Sequence, residues 1–172
     1  MKLRYLCLAA GFLAAMGVSA ASAQALFADK RVITSHAARS MVDACLDFAA
    51  RNDFTLLAIA VVDPTGTLLS FQAMEGATET AVTTAIAKAK TAARWRRSTE
   101  DLFARVNGQV NRAPEWLGDF PQPGGFPIII GGQLVGAIGG GGGGGGGDQD
   151  DQCALAAVAA VFGDSADTGR VE

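Results

Sequence analysis

Histidine is nearly absent from this chain. Of 172 residues, one is His, three are Cys and one is Tyr. A zinc site built from several imidazoles or from four thiolates is therefore excluded. So is any mechanism that needs an imidazole besides His36. Charge is also sparse, at 18% of residues, and acids outnumber bases by 17 to 14. A duplex-binding surface carries a basic excess, so nucleic acid is not an expected partner. The sequence holds no G-x-S-x-G, H-E-x-x-H or C-x-x-C-H, which leaves out the usual hydrolase elbow, the helical zinc motif and covalent haem attachment. Apolar residues make up 49%. That is enough to fill one core, so a folded single domain is expected and wholesale disorder is not.

The first residues read as an address. Lys2 and Arg4 precede an apolar run from Leu6 to Met16, and small residues follow to Ala21-Ser22-Ala23. This is the layout of a secretory signal peptide over residues 1–23, cleaved before Gln24. The run is short for a membrane span, so no stable membrane insertion is expected after cleavage. The predicted location is periplasmic or secreted. The mature domain, residues 24–172 with its core over about 34–162, keeps Cys45 and Cys153. An oxidising compartment lets such a pair close into a disulfide. Two buried free thiols are the other reading.

Thr34 is a good N-cap for a helix to about Asn52, with Ala38, Met41, Val42, Cys45, Leu46 and Ala49 on one face. Leu56 to Val62 is a short apolar run, read as a strand covered on both faces. Asp63-Pro64-Thr65-Gly66 is turn chemistry, and Leu68 to Met74 returns as the hairpin partner. Glu79 to about Arg97 is alanine-rich and helix-prone. Ser98 and Asp101 suggest a capping box on a further short helix. Residues 107–123 are irregular, as lids and pocket walls are. Phe126–Ile130, Gly131-Gly132 and Gln133–Ile138 form a second hairpin. Nine glycines, Gly139 to Gly147, then read as a flexible connector or as backbone open to a flat ligand. Asp148 is the expected cap of a last helix to about Phe162, with a frayed tail after it. The order α-β-β-α-α-β-β-α predicts an α+β, profilin-like or PAS-like layered sandwich, its mainly antiparallel sheet made of two hairpins. Terminal helices on one face would bring Cys45 towards Cys153.

Few side chains suggest chemistry. His36 lies in the first turn of the first helix. It is either an exposed polar residue or a metal ligand, such as an axial ligand to haem iron. Met74 is a second conceivable soft ligand, or a core methionine. The long helix carries Lys88, Lys90, Arg94, Arg96 and Arg97. Among them Lys90, Arg94 and Arg97 follow i, i+4, i+7 and would share a face able to receive carboxylates. A solvated helix end is the alternative. Asp148, Asp150 and Asp151 suit a helix N-terminus better than a cation site and oppose phosphate binding there.

Four segments together resemble a known family. They are AIAVVDPTGTLLSFQAMEGA (Ala58 to Ala77), AIAKAKTAARWRRSTEDL (Ala85 to Leu102), GGFPIIIGGQLVGAIG (Gly124 to Gly139) and DQDDQCALAAV (Asp148 to Val158). In that order they resemble the GlcG/HbpS-like haem-binding, or haem-degrading domain, family. The resemblance implies a profilin-like domain that forms a homo-oligomer, often an octamer, with haem as cofactor or ligand. Some members degrade haem and hold the released iron. On this reading haem is expected against apolar surface of the second hairpin, entered through Gly124 and Gly125, and against the 107–123 segment. Lys90, Arg94 or Arg97 would hold propionates, with His36 or Met74 at the iron. The chain departs from the family pattern at Thr67, where His or Arg is frequent, and at the polyglycine, which replaces a Val-Ser-Gly-like turn. The runner-up function is a non-catalytic small-molecule binding or accessory module of a periplasmic oxidation pathway. A subunit with a purely structural role is the third.

Overall fold

The computed structural model describes residues 29–143 and 147–170. Residues 1–28, on which the expected signal peptide falls, Gly144 to Gly146 and residues 171–172 lie outside the described residues. The elements are α1 (Ser35–Arg51), β1 (Ala58–Val62), β2 (Leu68–Ala73), α2 (Glu79–Trp95), α3 (Thr99–Asn107), α4 (Ala113–Trp116), β3 (Gly125–Ile130), β4 (Gln133–Gly141), α5 (Asp148–Phe162) and β5 (Ala166–Asp167). One sheet runs β2-β1-β4-β3-β5, every pair antiparallel. The expected α+β sandwich of two hairpins is what forms.

Period-two alternation in β1 sorts the core into two layers. Leu57, Ile59 and Val61 pack with α1 and α5 on one face. Ala58, Ala60 and Val62 meet the alanines of α2 on the other. Large residues therefore fill the two-helix side, and small residues let α2 lie close to the sheet. On the two-helix side Cys45 and Cys153 form a disulfide, their Cα atoms 4.9 Å apart. Of the two readings open for the thiols, the pair has closed.

The glycine run corrects an expectation. It begins as sheet, not as connector: Gly139, Gly140 and Gly141 pair with Ala60, Ile59 and Ala58. A Cβ on Gly139 would strike the Ala85 carbonyl oxygen and the Ala89 backbone nitrogen, and one on Gly141 would strike the Ala81 carbonyl oxygen. Only glycine lets the strand and the alanine helix come this close. A glycine strand has no side chains to alternate, so hydrophobic periodicity could not reveal it.

Other boundaries shift for local reasons. Helix α2 stops at Trp95, because Arg96 adopts φ 50, a left-handed cap. Ser98 caps α3 through its hydroxyl, accepting from Asp101 N–H at 3.2 Å. Gly147, not Asp148, is the N-cap of α5. The tail is not frayed as far as Arg170: Ala166 and Asp167 pair with Ile130 and Ile129, and Ser98 N–H donates to Gly169 O at 3.2 Å.

Candidate functional site

The β1–β2 turn is held by its own carboxylate. Asp63 Oδ1 accepts from Thr65 N–H at 2.7 Å, Thr65 Oγ1 at 2.6 Å and Thr67 N–H at 2.9 Å. Burial pushes the Asp63 carboxyl up, but these bonds and the Gly66 N–H outweigh it and hold it below its ordinary value. The turn therefore presents a rigid wall. Gly66 in it faces the Lys90 stem, the Lys90 Cγ standing 3.6 Å from where a Cβ would be.

Opposite the turn stands the C-terminal end of α2. Above both runs the lead-in to α1, residues 29–33, fixed by Ile33 N–H donating to Val135 O at 2.9 Å. Between them open two adjoining cavities of about 400 and 420 Å³, which share Pro64, Thr65, Ala93 and Arg94. Five bases line this groove (Lys30, Arg31, Lys90, Arg94 and Arg96) against two acids, Asp29 and Asp63. Among the described residues, Arg94 alone of the five is in an ion pair, 3.1 Å from Asp119. The other four have no carboxylate partner among the described residues. Such a groove can receive an anionic ligand by charge-assisted hydrogen bonds.

The sequence-derived candidates scatter. Lys90 and Arg94 reach the groove. Arg97 does not join them. The helix has ended before it, so the i+7 phase no longer applies, and Arg97 bonds Asp101 at 2.8 Å instead. Burial pushes the Asp101 carboxyl up, while Arg105 and Arg97 more than reverse it. Arg96 takes the place expected of Arg97, turned into the groove by its left-handed backbone. Lys30 and Arg31 lie on the short lead-in to α1, residues 29–33, and nothing in a five-residue stretch says which surface it crosses.

His36 is exposed on the first turn of α1 and lines none of the cavities described. Met74 packs against the α1–α5 core, its N–H donating to Leu57 O at 2.8 Å. That is the far end of the hairpin from Asp63, roughly 17–20 Å for strands of this length. Gly124 and Gly125 are buried against the chain itself. A Cβ on Gly124 would stand 2.8 Å from Asp150 Cβ, and one on Gly125 2.7 Å from Lys88 O.

Lys88 goes elsewhere too. It is 5% exposed and its Nζ donates to Asp150 Oδ2 at 2.6 Å. Asp150 Oδ1 accepts from Gly143 N–H at 2.9 Å. The pair thus pins the glycine segment between α2 and α5. Lys88 also forms part of a smaller cleft of about 270 Å³ with Thr84, Phe120 and Pro123. The acids read as helix-start residues are therefore partly core residues: Asp150 and Asp151 are both buried. Among the described residues no cluster of three or more His, Cys, Asp or Glu is placed to hold a metal ion. No described helix is long and apolar enough to cross a membrane.

The fold is thus a helix–sheet–helix α+β sandwich with a cation-lined groove at a hairpin turn, a concavity of the size and chemistry that small anionic ligands occupy. The chain belongs to the HbpS-like haem-degrading protein family, whose profile matches residues 33–159. Its structure is similar to a double mutant of Streptomyces reticuli HbpS, with TM-score 0.72 and 26% identity over 93% of this chain and 99% of that one. It is similar to Klebsiella pneumoniae protein ORFY, with TM-score 0.70 and 26% identity over 77% and 92%. A PduOC–haem complex shares the fold, with TM-score 0.71 and 23% identity over 81% and 99%. No curated protein matches the chain.

Proposed function

We propose that the protein is an exported, homo-oligomeric haem-binding protein, and that the groove between the Asp63 turn and the end of α2 holds the haem carboxylates. The observation that carries this reading is the set of unpaired cations: Lys30, Arg31, Lys90 and Arg96 line one groove. Two propionates need such partners, and the acids present do not cancel them. Asp63 commits its Oδ1 to its own turn. The family membership supports haem as the ligand. Export is supported by the signal-peptide pattern and by a disulfide, which persists in oxidising compartments. When bound, haem supplies the redox iron, and any oxidation of the porphyrin, with peroxide as the oxidant, would be that group's own chemistry. The chain's part is to hold the carboxylates and orient the ring.

Hemin titration followed in the Soret band, with native mass measured on the same samples, tests this. Saturable binding is expected, and Lys90→Gln weakens it about tenfold, the worth of one charge-assisted bond. No saturable change in the Soret band, or wild-type affinity in both Lys90→Gln and Arg96→Gln, overturns the reading. One observation favours a second reading. The described groove residues include no imidazole, thiol or thioether for the iron. A carrier of some other small carboxylate would need none. Metal-free protoporphyrin binding as tightly as hemin would place the affinity in the carboxylates alone. A His36→Ala variant with an altered hemin spectrum would place the imidazole at the iron.

A further inference from the structure

The segment between α3 and β3 exposes apolar side chains on a rigid backbone. Trp116 is 80% exposed and Leu117 59% exposed. Yet α4 beneath them is well built. Pro114 is buried in its first turn, and Asn111 Oδ1 accepts from Ala113 N–H at 3.0 Å. An indole held in water on a fixed support forgoes a large apolar burial, which marks a contact surface more than a packing accident.

The ledge is tied to the groove through Arg94. The Arg94 guanidinium donates to Leu117 O at 3.4 Å and pairs with Asp119 at 3.1 Å. Asp119 also accepts from Trp95 Nε1–H at 2.8 Å, and Phe120 N–H donates to Thr91 Oγ1 at 2.9 Å. Four contacts thus fasten the ledge to the last turns of α2. The same turns carry Lys90 and Ala93 into the groove. Arg94 stands between the two, its guanidinium on the ledge's backbone and its side chain in the groove's wall. An exposed apolar ledge and a row of unpaired cations therefore meet at one residue.

That juxtaposition matches an amphiphile with a flat apolar body and carboxylates along one edge. We infer that the Trp116–Leu117 ledge seats the face of the porphyrin whose carboxylates enter the groove. This rests on the haem reading above and assigns the part of the site that the cations leave open. Asp119 is the positioning residue. It holds Arg94 and Trp95 together, so the ledge keeps a fixed distance from Lys90.

The full mature chain is titrated with hemin as wild type, Trp116→Ala/Leu117→Ala, Trp116→Phe and Lys90→Gln. Each sample is read by Soret absorption, induced Soret dichroism and native mass. The exposed pair contributes little to the core, so the double variant is expected to fold with an unchanged melting curve. It should bind hemin roughly tenfold or more weakly, with altered dichroism, as loss of an aromatic stacking face does. Trp116→Phe should recover most of the affinity. If Lys90→Gln weakens hemin while the double variant binds like wild type, the ledge assignment is overturned and the haem reading stands. If the double variant changes the native mass at unchanged hemin affinity, the ledge is a contact between copies of the chain, and the assignment is again overturned. If wild type shows no saturable hemin binding, both fall together.

Discussion

Asp151 should make this protein less stable at neutral pH than at mildly acidic pH, and a single substitution should remove the effect. The carboxylate sits in the first turn of α5 at 8% exposure. One oxygen is 3.3 Å from Arg170 Nη2, and the other has no hydrogen-bond partner among the described residues. Burial pushes its pKa up and Glu100 nearby adds to that, while Arg170 (shared with Glu100), the Gly124 backbone amide and the Lys88 charge oppose it only in part. The result is a pKa of about 6 against an ordinary 3.8. Between those values the folded state holds a proton that the unfolded chain has released. Stability from this group is therefore present at low pH, declines as pH rises through the window, and is lost above about 6. A gap of about two units corresponds to about 3 kcal/mol. Asp151→Asn keeps the shape and an acceptor for Arg170 but cannot ionise. Urea unfolding at pH 7.5 should find the variant more stable by up to about 3 kcal/mol. At pH 3, below both values, the two should agree within error, since Asp151 is then protonated in the folded and the unfolded wild type. Asp63 and Asp101, whose pKa values are lowered, act in the opposite sense and below this window. A variant that is less stable at pH 7.5, or that keeps the wild-type slope between pH 4 and 6, would refute the reasoning.

Three further outcomes are expected. Gly139→Ala should destabilise by about 1–3 kcal/mol or more, because its Cβ meets helix backbone rather than a yielding side chain; a melting temperature equal to wild type would contradict the close approach of β4 to α2. Lys88→Met should cost about 3–5 kcal/mol by leaving Asp150 buried without its partner. Lys88→Met/Asp150→Asn should recover part of that loss in denaturant titrations, and no recovery would count against the pair. Cys45→Ala/Cys153→Ala should cost roughly 4–5 kcal/mol on chain entropy, the cysteines being 108 residues apart; equal thermal stability with and without reductant would contradict it.

The layers of this fold were readable from local signals. Thr34 and Ser98 cap helices through their hydroxyls as their side chains suggest. The Asp63-Pro64-Thr65-Gly66 and Gly131-Gly132 turns set both hairpins. What stayed hidden depends on distant partners. Lys88 looks like one more base on a basic helix until Asp150, 62 residues away, reaches it. Tail residues Ala166 and Asp167 have no pattern of their own and become a strand only because the edge of β3 is open to them. The candidate site was half legible. Lys90 and Arg94 follow from helical spacing, but Arg96 replaces Arg97 because one left-handed residue ends the helix two positions early. The ledge was foreseen as an irregular pocket wall, without any sign of which of its side chains would face outwards.

The bond between Cys45 and Cys153 joins the first helix to the last and encloses every strand but the final short one. A protease that cuts the outlying arm around Trp116 would therefore open the ring without releasing a fragment. The nicked molecule would keep its mass until a reductant was added, and only then separate into two pieces.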